Sequence, residues 1–127
     1  MSLPTILVAD DSPSIRRMIS ACLRAAGYEV TEAADGKEAH EVALEGAFGM
    51  LVTDQVMPVM DGLSLIRALR ATPHYANAPI LMLTTEADGQ IRAQAREAGA
   101  SGFLAKPFDP DQLIASVEAL LPPPSEG

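Results

Sequence analysis

Short apolar runs alternate with segments of helical periodicity along the whole chain. Strands are predicted over 5–9, 28–33, 50–53, 80–83 and 101–105, and a helical pattern follows each of them. The first run, Thr5 to Ala9, is continuously apolar, as expected of a central parallel strand covered on both faces. The second, Tyr28 to Ala33, is more polar and therefore suits the edge of a sheet.

Capping residues mark where two of the helices begin. Ser12 followed by Pro13 predicts the N-cap and first turn of the first helix, and Asp109 followed by Pro110 predicts the start of the last. The fourth helix, predicted over about 88–98, differs from the others. Its inward face offers only Ile91 and small alanines, so we expect it to pack shallowly and to move easily.

This alternation of strands and helices indicates an α/β fold in one domain. Right-handed crossovers place helices on both faces of a parallel sheet, and five such units favour a flavodoxin-like, doubly wound sandwich with strand order 2-1-3-4-5. The domain is expected to span residues 5–121. Residues 1–4 are interpreted as a disordered or cloning-derived start, and the proline-rich stretch 122–127 as a tail or the beginning of a linker.

Composition excludes several classes of function. The net charge is −8, so most of the surface would repel a nucleic-acid backbone. The chain has no apolar run of about 20 residues and no basic leader, which predicts a cytoplasmic protein that does not enter the membrane. The single cysteine, Cys22, cannot form an internal disulfide.

Polar residues follow four of the five predicted strands at their carboxyl ends. Asp10 and Asp11 follow the first strand, Asp54 the third, Thr84 the fourth and Lys106 the fifth. Open α/β sheets bind ligands at this edge. The first and third strands are neighbours in the predicted order, about 4.8 Å apart, so their three carboxylates should crowd together. Such a cluster needs a proton or a cation, and carboxylate oxygens with a few waters suit Mg²⁺.

Each of these residues has an ordinary structural interpretation when it is taken alone. Asp-Asp-Ser before a helix is commonly an N-cap, Thr84-Thr85 the start of the next cap, and Lys106-Pro107 a loop. Their convergence on one edge favours a shared site instead. A carboxylate nucleophile, Mg²⁺, an ammonium and a hydroxyl together form a site for in-line phosphoryl transfer, with an aspartyl phosphate on Asp54 as the product.

The Lys106-Pro107 peptide bond is predicted to be cis. Lys106 must point back towards the carboxylates while the chain turns sharply into the last helix. A cis bond before proline permits this reversal at a cost of only about 0.5–1 kcal/mol.

These motifs resemble the receiver domain of two-component response regulators. The matching segments are Asp10-Asp11-Ser12, Asp54, the loop 57–62 (Met-Pro-Val-Met-Asp-Gly), Thr84 and Lys106-Pro107. The resemblance implies a histidine kinase as phosphodonor and Mg²⁺ bound by Asp10, Asp11, Asp54 and the backbone carbonyl of Val56. It also implies a switch formed by Thr84 and Phe103, a cis bond before Pro107, and no enzymatic activity beyond the protein's own phosphorylation and slow dephosphorylation.

Three functions are compatible with these residues. Segments 11–16, 81–86 and 106–110 are similar to single-domain chemotaxis regulators, which implies a partner such as a flagellar motor switch protein. The chain is also compatible with a receiver module of a longer response regulator or hybrid kinase, with an output domain as its target. A Mg²⁺ phosphohydrolase of the haloacid dehalogenase type is less favoured, because its second aspartate would fall at Val56 and the chain has no room for a cap insertion.

Overall fold

Five strands and five helices alternate in the computed structural model, which describes residues 5–85 and 89–121. The strands are β1 Thr5–Ala9, β2 Glu29–Ala33, β3 Met50–Asp54, β4 Ile80–Thr84 and β5 Gly102–Ala105. The helices are α1 Pro13–Ala25, α2 Gly36–Glu45, α3 Gly62–Arg70, α4 Gly89–Ala98 and α5 Pro110–Leu120, with a short 3-10 turn at Pro73–Tyr75. The predicted start at 1–4, the tail at 122–127 and the predicted beginning of the fourth helix at Asp88 lie outside the described residues.

The sheet is parallel and has the order β2-β1-β3-β4-β5, so the predicted topology is confirmed. Strands β3 and β4 are buried along their whole length, whereas β2 at the edge is mostly half-buried. This difference follows from the sequence, since three of the five residues of β2 are polar and the central strands are mostly apolar.

Two apolar cores lie on opposite faces of the sheet. On one face Ile19 and Leu23 of α1 pack with Leu113 and Val117 of α5 against the sheet. On the other face the core includes Ala39 and Ala43 of α2, Leu65, Ile66 and Leu69 of α3, and Ala95 and Ala98 of α4. Burial on both faces fixes the register of the central strands and thereby the positions of the residues at their ends.

The helix α4 packs less deeply than its neighbours. It buries only Ala95 and Ala98, both in its C-terminal half, whereas Ile91 is half-buried. The expectation of shallow packing is therefore met, but the buried anchors are alanines rather than Ile91, because Ile91 lies near the exposed N-terminal end of the helix. Arg70 of α3 holds the other end, donating to the carbonyl oxygen of Gly99 from Nε at 3.0 Å and from Nη2 at 2.6 Å.

Among the described residues, no helix has both the length and the apolar character needed to span a membrane.

Candidate functional site

The carboxylates at the ends of β1 and β3 meet at one edge of the sheet. Asp10 and Asp11 follow β1, and Asp54 is the last residue of β3. One carboxylate oxygen from each of the three lies within 4.8 Å of the other two. The register explains this proximity, since Ala9 of β1 pairs with Thr53 of β3 and the next residues on the two strands are acidic.

Asp10 is held in a fixed orientation. Its side chain is 1% exposed, and Oδ1 accepts a hydrogen bond of 2.9 Å from the backbone N–H of Ser12. Arg16, in the first turns of α1, donates from Nη1 to the backbone carbonyl of Asp10 at 2.7 Å. Asp11 is exposed. The acidic pair therefore presents one fixed carboxylate and one that can turn towards a ligand.

Lys106 reaches the same edge from the end of β5. Its Nζ lies 2.8 Å from Asp10 Oδ2 and 3.3 Å from Asp54 Oδ2. Its backbone N–H donates to the carbonyl of Thr84 at 2.9 Å, which continues the pairing of β4 with β5 by one residue. The Lys106-Pro107 bond is cis, as predicted.

The Asp54 carboxyl is buried and unusually basic. Burial is the largest cause and raises its pKa above the ordinary value, and the charge on Asp10 raises it further. The Lys106 ammonium and the backbone N–H of Gln55, which donates to Oδ1 at 2.8 Å, act in the opposite direction without cancelling the effect.

The acidic cluster fits a hard cation. Three carboxylates and one ammonium leave two negative charges uncompensated when all are ionised. Mg²⁺ binds oxygen ligands at about 2.0–2.1 Å and retains several waters, so three oxygens within 4.8 Å of one another can share one such ion directly or through water. The structure places Val56, the predicted carbonyl ligand, two residues after Asp54 at the start of the β3–α3 loop.

Thr84 and Phe103 lie on the same face of the sheet. In the β4–β5 register Phe103 pairs with Met82, and Met82 and Thr84 point to the same side because they are two residues apart. Thr84 is fully buried, whereas Phe103 is half-buried under α4. The guanidinium of Arg92 lies 5.0 Å from the centre of the Phe103 ring.

Gly62 allows α3 to begin directly against the end of β3. A Cβ at this position would collide with the carbonyl oxygen of Asp54 and lie 3.0 Å from Cα of Gln55. These are backbone atoms and cannot give way, so packing beside the site requires a glycine at position 62.

Three residues at the site were not predicted from the sequence: Gln55, Arg16 and Arg92. The side chain of Gln55 is buried and bonded to the N-terminus of α3. The one available signal was its position, since a polar residue directly after Asp54 must lie at the ligand-binding edge. Arg16 and Arg92 lie on helices, and no local motif indicates their roles. Their contacts with the Asp10 carbonyl and the Phe103 ring depend on how those helices pack.

The raised pKa of Asp54 predicts a specific pH dependence of stability in the absence of divalent cations. Because the folded protein holds this proton more tightly than the unfolded chain, stability should fall as pH rises from the ordinary pKa through the raised value, and then level off. Asp54→Asn should therefore have a higher free energy of unfolding than the unmutated protein at pH 7 in EDTA, and the advantage should shrink towards pH 4.

Urea denaturation across this pH range measures the effect, with Glu97→Gln on exposed α4 as a control for the loss of one surface charge. An Asn variant that is less stable at pH 7 would mean that attraction to Lys106 outweighs the burial of the charge.

Comparisons with known proteins agree with this geometry. Residues 6–118 match the family described as response regulator receiver domain. The chain is similar to the chemotaxis protein CheY4 of Vibrio cholerae, with 42% identity and a TM-score of 0.91, over 94% of this chain and 100% of that one. It is also similar to the receiver domain of the sensor histidine kinase PA1611 of Pseudomonas aeruginosa, solved with magnesium in its active-site cleft, with 34% identity, a TM-score of 0.86, and coverage of 94% and 98%.

Curated relatives include longer proteins. The DNA-binding master transcriptional regulator RpaA of Synechocystis is 36% identical over 94% of this chain and 49% of its own length. The chain thus spans about half the length of the curated relatives it matches. On the family match and these identities, the chain belongs to the response regulator receiver domains, which are phosphorylation-activated signalling switches rather than enzymes in the usual sense.

Proposed function

We propose that this chain is a cytoplasmic switch that accepts a phosphoryl group from a histidine kinase on Asp54, with Mg²⁺, and then changes how it binds a partner. The observation that carries the proposal is the position of Lys106 Nζ, 2.8 Å from Asp10 and 3.3 Å from Asp54, beside three carboxylates that converge within 4.8 Å. A structural ion pair would need one carboxylate, whereas this ammonium faces two, with a third exposed beside them.

The chemistry follows from these positions. A carboxylate oxygen of Asp54 forms a bond to phosphorus as the nitrogen–phosphorus bond of the phosphohistidine breaks, and the imidazole leaves with the electron pair and takes a proton from solvent. Asp10 and Asp11, with Asp54 and the Val56 carbonyl, would hold Mg²⁺, which supplies positive charge for the phosphoryl oxygens. Lys106 offers a second positive charge on its side of Asp54. The Mg²⁺ site of the PA1611 receiver supports this assignment.

An apolar hollow beside Lys106 supports a protein as the phosphodonor. Its volume is about 330 Å³, and it lies between α1 and the segment that joins β5 to α5. The lining residues are Ile15, Met18, Thr85, Lys106, Pro107 and Phe108. A helix of a kinase that covers this hollow would bring a histidine on its surface close to Asp54, so we propose that the donor docks here.

The output would pass through Thr84 and Phe103. An aspartyl phosphate adds strong acceptor oxygens, which draw the Thr84 hydroxyl towards the site, and Phe103 on the adjacent strand is placed to follow it. Moving inward would take the Phe103 ring away from Arg92 and reshape the face formed by α4, β5 and α5. The shallow packing of α4 favours this route, because its N-terminal half has few buried contacts to lose.

Chemotaxis is the more favoured setting. The 42% identity to the chemotaxis protein CheY4 supports a chemotaxis regulator whose partner is a flagellar motor switch protein. The length of RpaA supports the second candidate, a receiver module whose target is an output domain on the same chain. The length of the full gene distinguishes the two.

The covalent step is tested by incubating the protein with acetyl phosphate and Mg²⁺ and measuring its intact mass. We expect the addition of one phosphoryl group, located on Asp54, and no addition at this site in Asp54→Asn. A phosphoryl group located on Asp10 or Asp11 would contradict the assignment of the acceptor.

The switch is tested with Thr84→Ala and, as a matched control, Thr85→Ala, which removes an exposed hydroxyl one residue later. Both variants should still accept a phosphoryl group from acetyl phosphate, which needs no docking surface. Addition of beryllofluoride should shift the backbone amide NMR signals of residues 89–108 in the unmutated protein and in Thr85→Ala, but much less in Thr84→Ala. Equal shifts in all three proteins would rule out the Thr84–Phe103 route.

A further inference from the structure

Gln55, the residue after Asp54, links the site to α3 through four hydrogen bonds. Its backbone N–H donates to Asp54 Oδ1 at 2.8 Å, and its backbone carbonyl accepts from Gly62 N–H at 3.0 Å. Its side-chain carbonyl accepts from Leu63 N–H at 2.9 Å, and its side-chain amide donates to Asp61 Oδ2 at 3.4 Å. The residue is only 7% exposed, and its bonds to Asp54 and Leu63 are buried, whereas the bond to Asp61 is partly buried.

These bonds close the base of the loop 56–61, which contains the predicted carbonyl ligand Val56. Asp61 caps α3 by accepting from Ser64 N–H at 2.9 Å, and the other oxygen of the same carboxylate accepts from Gln55. One buried amide thus joins the two ends of the loop to the first turn of α3. The Asp54 carboxylate is fixed by the same residue at its backbone.

The conformation of the loop requires such a support. Val59 has a φ of 70°, which is costly for a β-branched residue, and Met60 N–H bonds to the Pro58 carbonyl at 2.7 Å across a tight turn. The side chains of Val56 and Val59 are 55% and 78% exposed, so they contribute little packing that would hold the turn. A strained turn persists only where its surroundings fix it, and here the fixed points include the bonds of Gln55 and the buried Met57.

We propose that Gln55 is a positioning residue for the cation site: its side chain holds the loop so that the Val56 carbonyl and the Asp54 carboxylate face one Mg²⁺ ion. The inference rests on the proposed function and extends it, because it makes Mg²⁺ affinity depend on a side chain that does not contact the ion. If Gln55 only stabilised the start of α3, its replacement would lower the stability of the fold and leave the affinity for Mg²⁺ unchanged. The two roles can therefore be separated.

The experiment compares Mg²⁺ binding by Gln55→Met with that of the unmutated protein, using isothermal titration calorimetry. Methionine has a similar length and no hydrogen-bonding amide, so both side-chain bonds are lost while the backbone N–H remains. We expect the dissociation constant for Mg²⁺ to rise at least fivefold. Two control variants, Ile66→Val and Leu69→Ala, change residues that are buried in α3 away from the loop. The control used is the one whose melting temperature is closer to that of Gln55→Met. Its dissociation constant should match that of the unmutated protein.

A second measurement needs no variant. In the unmutated protein, titration with Mg²⁺ should shift the NMR signals of the Gln55 side-chain amide and the Leu63 backbone amide. The midpoint of these shifts should equal the dissociation constant that calorimetry gives for Mg²⁺. Unchanged affinity in Gln55→Met, a weakened control variant, or unmoved Gln55 and Leu63 signals would each overturn the positioning role. If the unmutated protein itself binds no Mg²⁺, the proposed function fails instead, which keeps the two failures apart.

Discussion

The contact of the Lys106 ammonium with both Asp10 and Asp54 is the interaction on which the site depends. Parallel pairing of β1 with β3 forces acidic residues at their ends into the same small volume, where their charges repel. Lys106 comes from the end of β5, beyond β4 and β3 in the sheet, and its ammonium nevertheless lies 2.8 Å from Asp10 Oδ2. The Lys106 ammonium offsets part of the repulsion between the buried carboxylates. Because it carries one charge against three, the cluster keeps negative charge that a cation can neutralise.

Two connections lead from this cluster into the rest of the domain. One passes from Asp54 through Gln55 to the first turn of α3, through buried hydrogen bonds between groups whose positions are fixed. The other leads from the end of β4 to Phe103 and α4, where packing is shallow and Arg92 lies over the ring. The first is suited to holding a geometry and the second to changing one. On the proposed function, this contrast would combine a rigid site with a responsive surface in one small sheet.

The sequence predicted most of the fold because periodicity and capping act locally. The five strands, their order, the helix starts at Ser12 and Asp109 and the cis bond before Pro107 all agree with the structure. Residues whose importance depends on tertiary contacts were not predictable in this way. Gln55 carries no motif. Ile91, Ala95 and Ala98 lie on one face of α4, and only the C-terminal half of that face is buried, which depends on how the end of the helix is held against its neighbours. The positive φ of Val59 contradicts the preference of a β-branched residue, so no local rule could indicate it.

The most direct test of the account is the dependence of the melting temperature on Mg²⁺ concentration. If Asp10, Asp11 and Asp54 form one cation site, Mg²⁺ stabilises the folded state, by about 2.7 kcal/mol at a concentration of 100 times its dissociation constant. The account predicts a saturable rise in the melting temperature of the unmutated protein that is absent from Asp11→Ala, whose exposed carboxylate is removed without disturbing the contact of Lys106 with Asp10 and Asp54. A melting temperature that Mg²⁺ leaves unchanged in the unmutated protein would contradict it.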